Sequence, residues 1–166
     1  MTSPKQNAGF TLLEALMAAM LIGLAIAALA ASSGAFTTYN AAGVDLSTAE
    51  FLIEEIRELT APLPVVEPGW TPVAGTALGP DGGETLATYD DLDDFHQRSY
   101  CPPVDAGRTA MPEFGAYTQL IQVQTVAASN LSAPVQNHST AFYQVTVTIS
   151  KSGVPITSSS WIRARY

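Results

Sequence analysis

Two stretches of this chain place carboxylates where their chemistry needs an explanation. Glu14 is the only ionisable residue between Phe10 and Ala31, inside an otherwise apolar run. A charged side chain at the centre of a bilayer costs about 2.5–3.5 kcal/mol on insertion scales, so an acid in such a run calls for a partner, a water path or a function. Lys5, nine residues away in the polar leader, is a poor partner. A cut between Gly9 and Phe10 would create an α-amine on Phe10, one helical turn from Glu14, able to satisfy its own Glu14 or that of a neighbouring helix packed with a stagger. The second stretch is Tyr89-Asp90-Asp91-Leu92-Asp93-Asp94-Phe95-His96, with four carboxylates in five residues. Calcium takes six to eight oxygen ligands, so Asp90, Asp91, Asp93 and Asp94 are weak candidate ligands. Their spacing is not that of an EF-hand loop. The expectation set against metal binding is a solvated turn or one-turn helix with Tyr89, Leu92 and Phe95 facing inward. No cofactor is otherwise expected.

The elements that must position these groups follow from the pattern. At about 1.5 Å per residue, Phe10 to Ala31 makes a helix of roughly 33 Å, enough to cross a bilayer core. Ahead of it lies a short polar leader whose only charge is Lys5, which by the positive-inside tendency favours a cytoplasmic N-terminus and an exported C-terminal part. From Ser32 the pattern becomes amphipathic. Leu52, Ile56 and Leu59 share one face with Ala49 and Ile53, while Glu50, Glu54 and Glu58 lie on another. No proline interrupts the chain from Phe10 to Ala61, and Pro62 and Pro64 then stop the helix.

Gly9-Phe10-Thr11-Leu12-Leu13-Glu14, after a short leader with a basic residue and before an apolar helix, resembles the processing site of type IV prepilins and type II secretion pseudopilins. The resemblance implies cleavage after Gly9 by a prepilin peptidase, N-methylation of Phe10, and use of Glu14 to register an incoming subunit against the amine of the one before it. The implied partners are other pilin or pseudopilin subunits, the peptidase, an inner-membrane assembly platform and membrane lipid. Small residues such as Ala18, Ala19, Gly23, Ala25, Ala27 and Ala28 would let helices approach closely in a filament core. The acidic octad is further similar to a stretch seen in minor pilins of the mannose-sensitive haemagglutinin pilus type.

Two other readings of the N-terminus explain less. A plain single-pass anchor accounts for the apolar length but not for Glu14 or the Gly-Phe junction. A secretory signal peptide finds an A-x-A-like site at Ala28-Leu29-Ala30, yet its apolar core is usually only about 7–15 residues and lacks an acid.

Composition limits the rest. The formal charge is −8, from 15 acids against 7 Lys and Arg, and the arginines are scattered, which argues against binding nucleic acid through phosphate neutralisation. Cys101 is the only cysteine, so no internal disulfide forms, and its expected place is a buried small apolar one. Leu63 to Gly83 reads as a long loop, with one short strand near Thr85 to Thr88. Tyr117 to Val126, Phe142 to Ser150 and Val154 to Arg163 read as antiparallel strands, with Tyr143, Val145, Val147 and Ile149 on one face; Ala127 to Thr140 reads as a polar loop. His96 and His138 read as surface residues. Ser158, Ser159 and Ser160 come with no Gly-x-Ser-x-Gly elbow or recognisable base, so an anchored exported hydrolase is a weak alternative.

The expected architecture is α+β: a long N-terminal helix packed on a small antiparallel sheet, pilin-like. Its parts are a leader (1–9), a transmembrane helix (10–31), an amphipathic continuation of the stalk (32–61) and a β-rich globular head (62–166). The expected role is that of a structural minor pilin rather than an enzyme, with a type II secretion or competence pseudopilin as the alternative.

Overall fold

The computed structural model describes residues 11–165, so the Gly9-Phe10 junction and the leader lie outside the described residues. The chain divides into two units at Val44/Asp45. One helix, α1 (Leu12–Thr60), runs through both ranges of residues, and no proline lies within it to break it. Its 12–43 portion is exposed all round, and it is long and apolar enough to cross a membrane.

The second unit has an α+β core. β1 (Arg98–Tyr100), β2 (Tyr117–Ala127), β3 (Asn130–Pro134), β4 (Phe142–Lys151) and β5 (Val154–Ala164) form an antiparallel sheet in the order β1-β2-β4-β5, with β3 paired to the end of β2. Alternation decides which face is covered. Ile121 and Val123 on β2 stand opposite Val147 and Val145 on β4, and these four side chains are fully buried with Tyr143 and Ile149. Ala49, Leu52, Ile53, Ile56 and Leu59 of α1 complete the core, while Glu50, Glu54 and Glu58 face solvent. Full burial of a residue such as Leu52 or Ile56 stabilises by about 1.5–3 kcal/mol.

Polar anchors fix this part of α1 on the sheet. Asp45 Oδ1 accepts bonds from Tyr117 Oη at 2.7 Å and Lys151 Nζ at 2.6 Å. Glu55 accepts the Ala106 N–H at 2.7 Å, and the Arg57 guanidinium lies 4.7 Å from the Trp161 ring centre. At the C-terminal end, Arg163 of β5 donates to the carbonyls of Thr60 and Leu63, each at 2.8 Å. The Thr60 carbonyl is one that helix termination leaves without an intrahelical partner, Leu63 lies just beyond the helix end, and the cation also suits the negative end of the helix dipole. Buried Gln119 joins three elements: its Oε1 accepts the Val104 N–H, and its Nε2 donates to the carbonyls of Leu52 and Val104.

Several expectations are corrected. No strand forms at Thr85 to Thr88; the Thr88 N–H bonds back to the Thr85 carbonyl at 2.8 Å and the Thr85 N–H to Thr88 Oγ1 at 2.9 Å, closing a turn. The loop expected over 127–140 contains β3, whose side chains are almost all exposed, so it carries no burial period to read. The three-residue β1 is too short to show one either. Cys101 is exposed rather than buried. His138 is buried rather than on the surface, and His96 is half-buried.

Candidate functional site

The first site is the start of α1. Thr11 precedes the first helical residue, and its Oγ1 accepts the Glu14 N–H at 3.2 Å while Glu14 Oε2 accepts the Thr11 N–H at 3.4 Å. This reciprocal arrangement is a capping box, which satisfies two N–H groups that a helix N-terminus otherwise leaves open. The Thr-x-x-Glu spacing that carried the resemblance thus has a local structural consequence that sequence reasoning missed, although the S/T-x-x-E signal was present. Glu14 is exposed, so the same carboxylate also faces outward from the helix.

The second site is the acidic octad. Tyr89, Leu92 and Phe95 do turn inward, with the Tyr89 and Phe95 rings edge to face at 5.2 Å, and Asp93 to Phe95 form one 3₁₀ turn. The acids, however, are not solvated: Asp91 is 2%, Asp93 8% and Asp94 2% exposed, and only Asp90 stays in solvent. The cause lies outside the octad. The Leu92 N–H bonds to the Pro64 carbonyl at 2.9 Å, and Arg108 donates to the carbonyls of Leu86, Ala87 and Tyr89, so the preceding loop is drawn over the cluster.

Backbone N–H groups hold these carboxylates. Asp94 Oδ2 accepts the N–H of Asp90 at 3.1 Å and of Asp91 at 3.4 Å, and Asp91 Oδ1 accepts the Asp94 N–H at 3.1 Å. Burial and then the Asp91 carboxyl beside it push Asp93 up to about 9, and burial followed by the Asp91 charge pushes Asp94 up to about 7. Asp91 is also raised, chiefly by burial.

His138 belongs to this site. Its Nδ1 lies 2.9 Å from Tyr143 Oη, its ring meets Trp70 edge on at 5.1 Å, and its Nε2 points at Asp93 Oδ2 from 3.6 Å. Burial pulls His138 below the usual histidine range, so the imidazole is neutral near pH 7. His96 is lowered for the same reason. On β5, Ser159 Oγ accepts Arg57 at 3.3 Å and Ser160 Oγ lies 2.8 Å from Thr146 Oγ1, so these hydroxyls have cross-element partners.

No curated protein and no solved structure matches this chain. Residues 4–30 match the family model of the prokaryotic N-terminal methylation motif. With the long apolar helix that begins within the matched residues and runs on past them, the match fits a membrane-anchored, exported protein, and the chain carries the N-terminal signal of a type IV pilin-like or pseudopilin-like precursor.

Proposed function

We propose that the protein is a structural minor pilin, built into a type IV pilus-like filament of the mannose-sensitive haemagglutinin kind after a prepilin peptidase cuts between Gly9 and Phe10. The observation that carries the reading is the methylation motif over residues 4–30, which takes in the start of an exposed apolar helix with one acid near its beginning. Removal of residues 1–9 gives Phe10 the amine that is then methylated. Residues 10–31 hold the chain in the inner membrane with the N-terminus cytoplasmic and the head (62–166) exported, joined by the stalk at 32–61. On assembly Glu14 meets the Phe10 amine of the adjacent subunit, which supplies the cation that an acid in an apolar helix bundle requires. The protein acts by assembly rather than catalysis, with sibling subunits, the peptidase and the inner-membrane platform as its partners.

The test is the intact mass and N-terminal sequence of the protein from its native membrane and from sheared surface fibres. The expected chain begins at methylated Phe10 in both fractions. A start at Ser32 or an uncut Met1 overturns the reading. A processed chain absent from sheared fibres would assign it instead to a pseudopilin of a secretion or competence system.

A further inference from the structure

Away from the helix start and the acidic octad, the second unit leaves one long sheet edge open. β5 pairs with β4 on one side and with no other strand among the described residues, whereas the opposite edge ends in the three-residue β1. The Arg165 N–H donates to the Ala141 carbonyl at 2.8 Å, and the register runs without a shift from Phe142↔Ala164 to Ile149↔Thr157. In an antiparallel ladder, alternate residues turn both backbone groups to the partner strand. Thr157, Ser159, Trp161 and Arg163 therefore bond to β4, while Ser158, Ser160, Ile162 and Ala164 direct their N–H and C=O groups away from the sheet. No backbone partner meets those outward groups among the described residues. An edge of this kind is a template for a further strand, and proteins that keep one bare blunt it with lysine, proline or a bulge. Between Ile156 and Ala164, β5 has none of these; Pro155 stands only near its start.

The helix beside this edge sets what it offers a partner. A cleft of about 520 Å³ lies between α1 and β5, lined by Glu50, Phe51, Ile53 and Glu54 on one side and by Thr157 to Ser159 on the other. A second, of about 420 Å³, follows along the same two elements, past Arg57, Trp161 and Arg163. A strand laid on β5 alternates its side chains, one set toward these clefts and the other beside Ser158 and Ser160. Opposite Thr157 to Ser159 the cleft is anionic: Glu50 is exposed and forms no ion pair among the described residues, and Glu54 meets only Arg57, at 3.1 Å. Phe51, 45% exposed, adds an apolar wall at the same end. A lysine or arginine side chain fits both features, with its aliphatic stem on Phe51 and its charge at the carboxylates. The second cleft carries Arg57 and Arg163 instead, so uncharged side chains suit that half. A second copy of this chain is disfavoured as the occupant, because a formal charge of −8 makes copies repel.

We propose that β5 takes up an extended segment of another polypeptide as an added antiparallel strand, with basic side chains beside Glu50 and Glu54 and uncharged ones beside Trp161. Main-chain bonds to Ser158, Ser160, Ile162 and Ala164 supply the affinity, and the clefts supply the choice of partner. The antiparallel direction is the more stable one per residue. On the face away from α1, threonine or serine of the added strand pairs with the hydroxyls of Ser158 and Ser160, both exposed. The surface does not depend on how the N-terminus is processed.

The experiment uses the full chain in detergent and a synthetic peptide, acetyl-Thr-Val-Thr-Val-Thr-Lys-Thr-Lys-amide, titrated by NMR. A second peptide carries glutamate in place of both lysines. The expected result is saturable binding of the lysine peptide with a Kd of about 1 mM or tighter, and binding of the glutamate peptide at least about tenfold weaker. At peptide about tenfold above Kd, the amides of Ser158, Ser160 and Ile162 are expected to exchange about tenfold more slowly than in the free chain. Ser158→Pro removes one outward N–H and no bond to β4, so it is expected to keep Tm within about 4 °C of wild type and to weaken the lysine peptide at least about tenfold. Glu50→Lys, on the exposed side of α1, is expected to weaken that peptide at least about fivefold and serves where the proline variant does not fold. No saturation up to about 10 mM peptide, or binding that leaves those amides exchanging at their free rate, overturns the proposal. So does wild-type affinity in a folded Ser158→Pro chain, which removes the edge from the account. Equal binding of the two peptides, or wild-type affinity in Glu50→Lys, overturns the basic partner. Slow exchange at these amides in the peptide-free chain that speeds up on dilution makes a second copy the occupant and overturns the choice of partner.

Discussion

Glu14→Gln and Glu14→Ala separate two jobs that one carboxylate can hold. In the structure Glu14 closes a capping box with Thr11, and in the proposed filament it docks on the Phe10 amine of the next subunit. Gln keeps a side-chain oxygen able to reach the Thr11 N–H, whereas Ala removes it. Losing a capping interaction costs about 1 kcal/mol, roughly fivefold in an equilibrium. A pair of opposite charges 4 Å apart at an effective dielectric constant near 20 is worth about 4 kcal/mol, close to a thousandfold. Docking by charge therefore predicts that both variants nearly vanish from fibres, with Gln and Ala within about fivefold of each other. Capping alone predicts wild-type incorporation for Gln and only about a fivefold loss for Ala. The assay is quantitative mass spectrometry of sheared fibres normalised to the processed chain remaining in the membrane. That normalisation removes effects on processing, and insertion is not expected to suffer, because deleting a charge from the apolar run makes insertion easier. A Gln variant at wild-type level in fibres would refute the docking role.

Three further outcomes follow from the geometry. Gly9→Val is expected to block cleavage, leaving the chain at its full precursor mass on immunoblots and by mass spectrometry; a shortened product from that variant counts against the peptidase site. Gln119→Leu leaves the buried N–H and carbonyl of Val104 without the amide partner that bridges them to Leu52, so a loss of roughly 2–5 kcal/mol is expected in urea unfolding followed by Trp70 and Trp161 fluorescence, and a loss under about 1 kcal/mol would contradict it. The hydrogen bond from Lys151, then that from Tyr117, holds Asp45 below 3.8, so its contribution is complete above that pH and disappears as the pH falls through the lower folded-state value. The Tm gap between wild type and Asp45→Asn should accordingly be constant from pH 7 to 5 and shrink below 3.8; a gap unchanged at pH 2 would remove the ion pair from the account.

Much of the fold was legible because it depends on local period. The 3.6-residue stripe of Leu52, Ile56 and Leu59 and the two-residue alternation of Tyr143, Val145, Val147 and Ile149 each place one face inward whatever the partner is, and the structure buries those faces against each other. The stop at Pro62 and Pro64 and the motif over residues 4–30 are equally local, and so is the Thr11 to Glu14 capping signal, which the sequence reading missed. The β3 strand and the turn at Thr85 to Thr88 were misread because exposed or turn-forming residues carry no burial period.

The sequence by itself therefore determined a long apolar helix with one acid near its start, an amphipathic continuation and a sheet with one covered face. Tertiary structure decided what covers what. Four aspartates in five residues look solvated in one dimension, and only the Pro64 carbonyl, Arg108 and the long loop they hold in place bury three of them. His138 comes from a polar segment more than forty residues further along, and no local pattern links it to Asp93. Arg163 closes the end of a helix about one hundred residues earlier in the chain, and Gln119 serves backbone groups on two other segments. Periodicity is set by neighbours along the chain, whereas burial of a charge and pairing of a distant backbone group are set by neighbours in space, which the chain acquires only on folding.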